Sequence, residues 1–165
     1  PCRATAERAL ADGTLYVDEV NGHIEGCANL NHVQPPEYGS ISWTIQAKPK
    51  QVLVIHTLCI RPECAGGGRG RRFVAFAEGL ATGQGCRVIR LDTYEGNAPA
   101  AAFYPKLGYR LAGSAEFFFE GFARENLICF EKELRGGADR PAGNRRPGTA
   151  APAMPSTASA SAETP

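Results

Sequence analysis

From Arg135 to Pro165 the chain holds no valine, isoleucine, leucine or aromatic residue, only Ala, Gly, Pro, Ser, Thr, Met154 and scattered polar and charged residues. Such a stretch cannot bury enough surface to offset its ordering entropy, so it reads as a disordered tail (residues 135–165) behind a domain ending near Leu134. No apolar run approaches the ~20 residues that a membrane-crossing helix needs, which leaves membrane insertion and secretion unsupported. Six cysteines (Cys2, Cys27, Cys59, Cys64, Cys86 and Cys129) form no CxxC pair and have no histidine at metal-ligand spacing. That argues against zinc and redox motifs and fits free thiols in a cytoplasmic protein. The net charge is only +1, and the tail places Arg135, Arg140, Arg145 and Arg146 against Asp139 and Glu163. The rest of the chain is therefore close to neutral and offers no basic face for nucleic acid.

What remains is one domain's worth of a chain that is 43% hydrophobic as a whole, with the patterning of a mixed α/β fold. Thr14 to Val20 alternates apolar and polar residues, Asn21 and Gly22 supply a positive-φ turn, and His23 to Leu30 returns, so a hairpin is expected. Residues 33–50, with Pro35, Pro36 and Pro49, read as a long connection anchored by Trp43 and Ile45. Val52 to Ile60 is an almost unbroken apolar run, expected as a strand buried on both faces. Phe73, Phe76, Ala77 and Leu80 recur at the spacing of one helix face, and Gly83 with Gly85 ends that helix. Val88 to Asp92 reads as a second buried strand. Asn97 with Pro99 predicts the cap and first turn of a helix through Phe103, closed by Gly108. Tyr109 to Leu111 and Glu116 to Phe119 predict one strand or a broken pair, and Asn126 to Phe130 a last one.

The chemistry starts at the glycines. Gly66, Gly67, Gly68 and Gly70 lie between a strand and a helix, where unpaired backbone N–H groups sit at the positive end of a helix dipole. That arrangement suits phosphate, with Arg69, Arg71 and Arg72 adding charge around it. The spacing is wrong for a P-loop, because Arg71 stands where GxxxxGK would need its second glycine, and GxGxxG fails from either Gly66 or Gly68.

The register Ala65, Gly66, Gly67, Gly68, Arg69, Gly70 resembles the signature of the GNAT superfamily of N-acetyltransferases: Gln or Arg, two variable residues, Gly, one variable residue, then Gly or Ala. Ala65 departs at the first position, losing a side chain but keeping the backbone amides. Asn97, Ala101, Phe103, Tyr104, Lys106, Leu107, Gly108 and Tyr109 are similar to the family's later helix and following strand. The resemblance covers about residues 14–134 and implies a GNAT-like, strongly twisted mixed sheet flanked by helices, splayed between the strands at 52–60 and 88–92. It implies acetyl-CoA as co-substrate and no metal. The coenzyme A pyrophosphate would lie on Ala65 to Arg71, and the pantetheine arm would bond backbone groups of Leu58, Cys59 and Ile60 like an added strand, with Asn97 and Phe103 bordering the cofactor.

The same resemblance makes Tyr104 the proton donor to the departing thiolate, in direct transfer within a ternary complex to a primary amine of a small molecule or peptide. Pro105 is expected to turn Tyr104 away from helical geometry. His56, inside the apolar strand, is similar in position to a histidine that helps remove the amine proton in arylalkylamine N-acetyltransferases, and its ordinary pKa near 6.5 suits a base. Cys64, beside the basic loop, is a candidate reactive thiol. The loop from Val33 to Lys50, with Tyr38 and Trp43, and Glu116 to Phe122 are expected to line the acceptor pocket as exposed aromatics. Only Pro1 to Gly13 precede the hairpin, where the family has a strand and one or two helices. An N-terminally shortened domain (residues 1–134) is therefore expected, with Ala4 to Ala11 as a remnant helix and a homodimer as one way to restore cover. The competing readings are a non-catalytic acyl-CoA-binding module and a protein N-terminal acetyltransferase.

Overall fold

A computed structural model describes residues 3–119 and 123–134. The expected tail, Cys2 and the Glu120 to Phe122 end of the expected acceptor wall lie outside these residues. The elements run α1 (Arg3–Ala11), β1 (Leu15–Val20), β2 (His23–Asn31), β3 (Val52–Ile60), α2 (Arg69–Gly83), β4 (Val88–Tyr94), α3 (Ala98–Phe103), β5 (Arg110–Phe119) and β6 (Ala123–Glu133), with short 3₁₀ turns between some of them. The six strands form one mixed sheet in the order β1-β2-β3-β4-β6-β5. Only β3 and β4 are parallel, and α2 makes the crossover between them.

Local chemistry explains the elements. Asn21 (φ 50°) and Gly22 (φ 80°) both take left-handed geometry, as a tight β1–β2 turn requires. Asn97 caps α3 by accepting from the Ala100 amide at 3.2 Å, and Gly108 (φ 84°) ends the following turn. The helix face carrying Phe73 and Ala77 is buried, joined by Val74 and Ala81, against Leu53, Ile55, Ile89 and Leu91 of the sheet. Each of the larger side chains among these contributes roughly 1.5–3 kcal/mol by leaving water, and the alanines less.

Four expectations need correction. Tyr38 is not an exposed pocket residue: it is 3% exposed, in a second core with Ile41, Ile45, Val52, Val54 and Phe117, because the residue is held both at its hydroxyl and at its backbone. Its hydroxyl donates to Asp92 at 2.8 Å, and its carbonyl accepts from the Trp43 indole at 2.9 Å. The strand 52–60 is buried on both faces only from Val52 to Ile55, and its second half is half-exposed. Of the one strand or broken pair expected there, residues 110–119 form the one strand, with a bulge between Leu111 and Gly113, whereas β6 begins earlier than its apolar run because Arg124 and Asn126 alternate outward. Tyr104 stays helical (φ −64°, ψ −40°) despite Pro105, since its ring is held among Phe103, Tyr109 and Phe130.

Candidate active site

Strands β3 and β4 pair only from Val52 with Val88 to Ile55 with Leu91. Beyond that point β3 continues paired with β2 alone, through Ile60, while β4 continues paired with β6 through Tyr94. The sheet therefore opens between His56–Ile60 and Asp92–Tyr94, at the place expected. The edge of β3 that faces the opening carries peptide groups with no strand partner among the described residues, a template for an extended ligand.

The glycine loop hangs from this same half of β3. Gly66 (φ 83°) and Gly68 (φ 78°) take left-handed geometry in open space, so they are glycines for backbone shape rather than for close packing. Gly68 is the N-cap of α2, and the first helical bond runs from the Arg72 amide to the Gly68 carbonyl at 3.0 Å. Among the described residues, no amide from Gly66 to Arg71 has an acceptor in the chain. A run of free N–H groups at a helix start is what a pyrophosphate requires, and the loop fits that group. Ala65 and the glycines 66–68 are exposed, as is Arg71. Gly70 lets the Phe103 ring approach, with a Cβ there lying 3.4 Å from the ring edge, which ties the cradle to α3.

The arginines divide their roles. Arg69 is turned inward, 3.3 Å from Asp18 and paired also with Glu25, and Arg72 reaches Asp18 at 3.6 Å. These side chains brace α2 against β1 and β2, so Arg69 offers the cradle its amide rather than its charge. Glu25 also faces Cys64, and burial together with that carboxylate raises the thiol pKa, the reverse of an activated thiolate.

Tyr104 lies in the main core with its hydroxyl unpartnered among the described residues. Burial, Asp92 and Cys59 push its pKa up to about 12, which places the phenol within electrostatic reach of both sides of the opening. His56 occupies the extra residue of a β2–β3 irregularity, between the Ile55–Leu30 and Thr57–Asn29 pairs. Its Nε2 lies 2.8 Å from Asn31 Oδ1, an atom that also accepts from the Val33 amide. The shared atom must then be oxygen, so Nε2 is the donor. Burial lowers the His56 pKa, and the Val33 backbone partly offsets this.

Asp92 was missed, having been read only as a strand end. It stands just past the last β3–β4 pair, and burial raises its pKa, with the Tyr38 hydroxyl opposing and Glu37 adding. The signal lay in the sequence as an acid closing an apolar run, but Tyr38 arrives from a segment more than fifty residues away. Asn97 spends its side-chain oxygen on the helix cap.

Comparison with known proteins agrees with this geometry. A profile described as the acetyltransferase (GNAT) family matches residues 2–109. Curated protein sequences gave no match. Among solved structures, a Bacillus subtilis acetyltransferase in complex with CoA superposes with a TM-score of 0.61 at 17% identity, over 81% of this chain and 85% of that one. A ribosomal-protein-alanine N-acetyltransferase from Brucella melitensis gives 0.60 at 21% identity, over 79% and 75%. An N-acetyltransferase from Staphylococcus aureus Mu50 gives 0.60 at 16%, over 80% and 74%. With the profile spanning well over half its length, and the sheet opened where that fold opens, the chain belongs to the GNAT acetyltransferase family.

Proposed function

We propose that the chain transfers an acetyl group from acetyl-CoA directly to a primary amine of a small molecule or peptide. One observation carries this reading: the free amides of Gly66 to Arg71, the unpaired edge of β3 and the Tyr104 hydroxyl converge on a single opening in the sheet. A pyrophosphate on the loop and a pantetheine arm along Leu58, Cys59 and Ile60 bring the thioester to that opening. A peptide N–H near Cys59 or Ile60 then donates to the carbonyl oxygen as it gains charge.

The amine must attack as a free base. Asp92, with Glu37 nearby, makes this side of the opening acidic and attracts a cationic amine. Asp92 takes the proton as the nitrogen bonds to the acyl carbon, with Tyr38 fixing its carboxylate. His56 is the second acceptor, on the opposite arm of the opening, where its lowered pKa keeps it neutral. Tyr104 donates to the sulfur as the C–S bond breaks, and free coenzyme A and the amide leave. A single-turnover assay of acetyl-CoA with a panel of amines and peptides tests the reading. Transfer to at least one primary amine is expected. Tight acetyl-CoA binding with no acyl acceptor in the panel would replace it with the binding-module reading.

A further inference from the structure

Cys27 of β2 and Cys59 of β3 are direct cross-strand partners in an antiparallel ladder. Residues in that relation have Cα atoms about 4.5–5.5 Å apart. A disulfide spans Cα separations of about 4.4–6.8 Å, so the backbone already has the spacing a disulfide needs. Both thiols are free, and they interact: the Cys27 thiol pKa is raised by burial and then by the neighbouring Cys59 sulfur. Cys59 is exposed and Cys27 half-buried, whereas Cys86 and Cys129 are fully buried. One sulfur is therefore open to a dissolved reagent, and a second waits behind it. The sequence could not show this, since 27 and 59 become neighbours only through the β2–β3 register.

We propose that Cys27 and Cys59 form a dithiol site that reduces a small-molecule disulfide and closes into a cross-strand disulfide. The Cys59 thiolate attacks one sulfur of the reagent, forming a mixed disulfide and expelling the other half as a thiolate that takes up a proton. The Cys27 thiolate then attacks the Cys59 sulfur, forming the intramolecular bond and releasing the second half as a thiol. Two protein thiols are oxidised and one disulfide is reduced to two thiols. The exposed Cys59 is the entry point because exchange requires access for in-line attack.

The test incubates the full native chain with glutathione disulfide and maps the products by mass spectrometry. The expected product has lost two free thiols and the mass of two hydrogens, and digestion yields one peptide joining Cys27 to Cys59. Cys27→Ser is expected to stop at the glutathione adduct on Cys59, and Cys59→Ser to give no joined peptide. An adduct that persists on Cys59 in the unsubstituted chain, or a bond from either residue to Cys64 instead, overturns the proposal. A second readout rests on the acyl-transfer reading: the oxidised chain should transfer acetyl groups more slowly, with dithiothreitol restoring the rate. The peptide map stands or falls without it, so failure of the catalytic reading would not be mistaken for failure of the thiol site.

Discussion

Replacing Tyr104 by phenylalanine removes one hydroxyl that has no partner in the chain among the described residues, so the fold should barely notice. A hydroxyl that makes no internal hydrogen bond contributes at most about 1 kcal/mol, which is a few degrees in Tm. Catalysis is another matter. The phenol pKa is pushed up to about 12, while a free thiol titrates near 8.5, a gap of roughly 3.5 units or about 5 kcal/mol against full proton transfer to a finished thiolate. In the proposed reaction Tyr104 therefore acts by hydrogen-bonding the sulfur as charge builds on it during C–S cleavage, without handing its proton over completely. Tyr104→Phe should lower kcat by about 10² to 10⁴, the usual range for a positioned acid, with the dissociation constant for acetyl-CoA unchanged. The decisive assay compares acetyl-CoA with an acetyl thioester of an aryl thiol in both proteins. The aryl sulfur leaves with less help, so the deficit should shrink. An equal deficit with both donors, or no deficit with acetyl-CoA, would refute the acid role.

Asp92→Asn should cost at least about 10² in kcat/KM and remove the acidic limb of the pH–rate profile. In the proposed reaction Asp92 works deprotonated, and its pKa is raised from 3.8, so the wild-type rate should climb with pH through a value above that of an ordinary aspartate. The same raised pKa means the native state binds that proton more tightly than the unfolded chain, so folding is penalised above it. Asp92→Asn lifts the penalty, and thermal melts at neutral pH should show no loss of Tm; His56→Gln should reduce the rate less than Asp92→Asn does. Gly68→Ala forces a side chain into left-handed geometry at about 1–2 kcal/mol and should weaken coenzyme A binding by calorimetry. Gly70→Ala, whose methyl only meets the Phe103 ring, should leave the melting temperature within a few degrees. Glu131, fully buried, accepts from the Thr44 and Ile45 amides and faces Arg110 and Arg90. Glu131→Gln should cost about 3–5 kcal/mol, the usual loss when a buried charge loses its partner, visible as a fall in urea midpoint.

Elements written in local chemistry were legible: Asn21-Gly22 for the hairpin, Asn97 with Pro99 for α3, the glycines for the loop before α2. Their causes lie within a few residues of one another. Tyr38, Asp92 and the Arg69–Asp18 pair were not legible, because each depends on which distant strands become neighbours. The opening of the sheet was inferred from resemblance alone, since nothing in an apolar run such as 52–60 says where its second edge goes unpaired. Tyr104 escaped the turn expected of a residue before proline because ring packing outweighed a local backbone preference.

The short ladder between Val52–Ile55 and Val88–Leu91 divides the chemistry between two arms. On the proposed reading the thioester seat and its loop travel with β3, while Asp92 rides on β4, and Tyr104 rests on Phe130 of β6. The angle at that junction would then set the distance from leaving sulfur to proton donor. Trimming Ile55 or Leu91, both buried in the core, would slow turnover by changing how wide the fork stands.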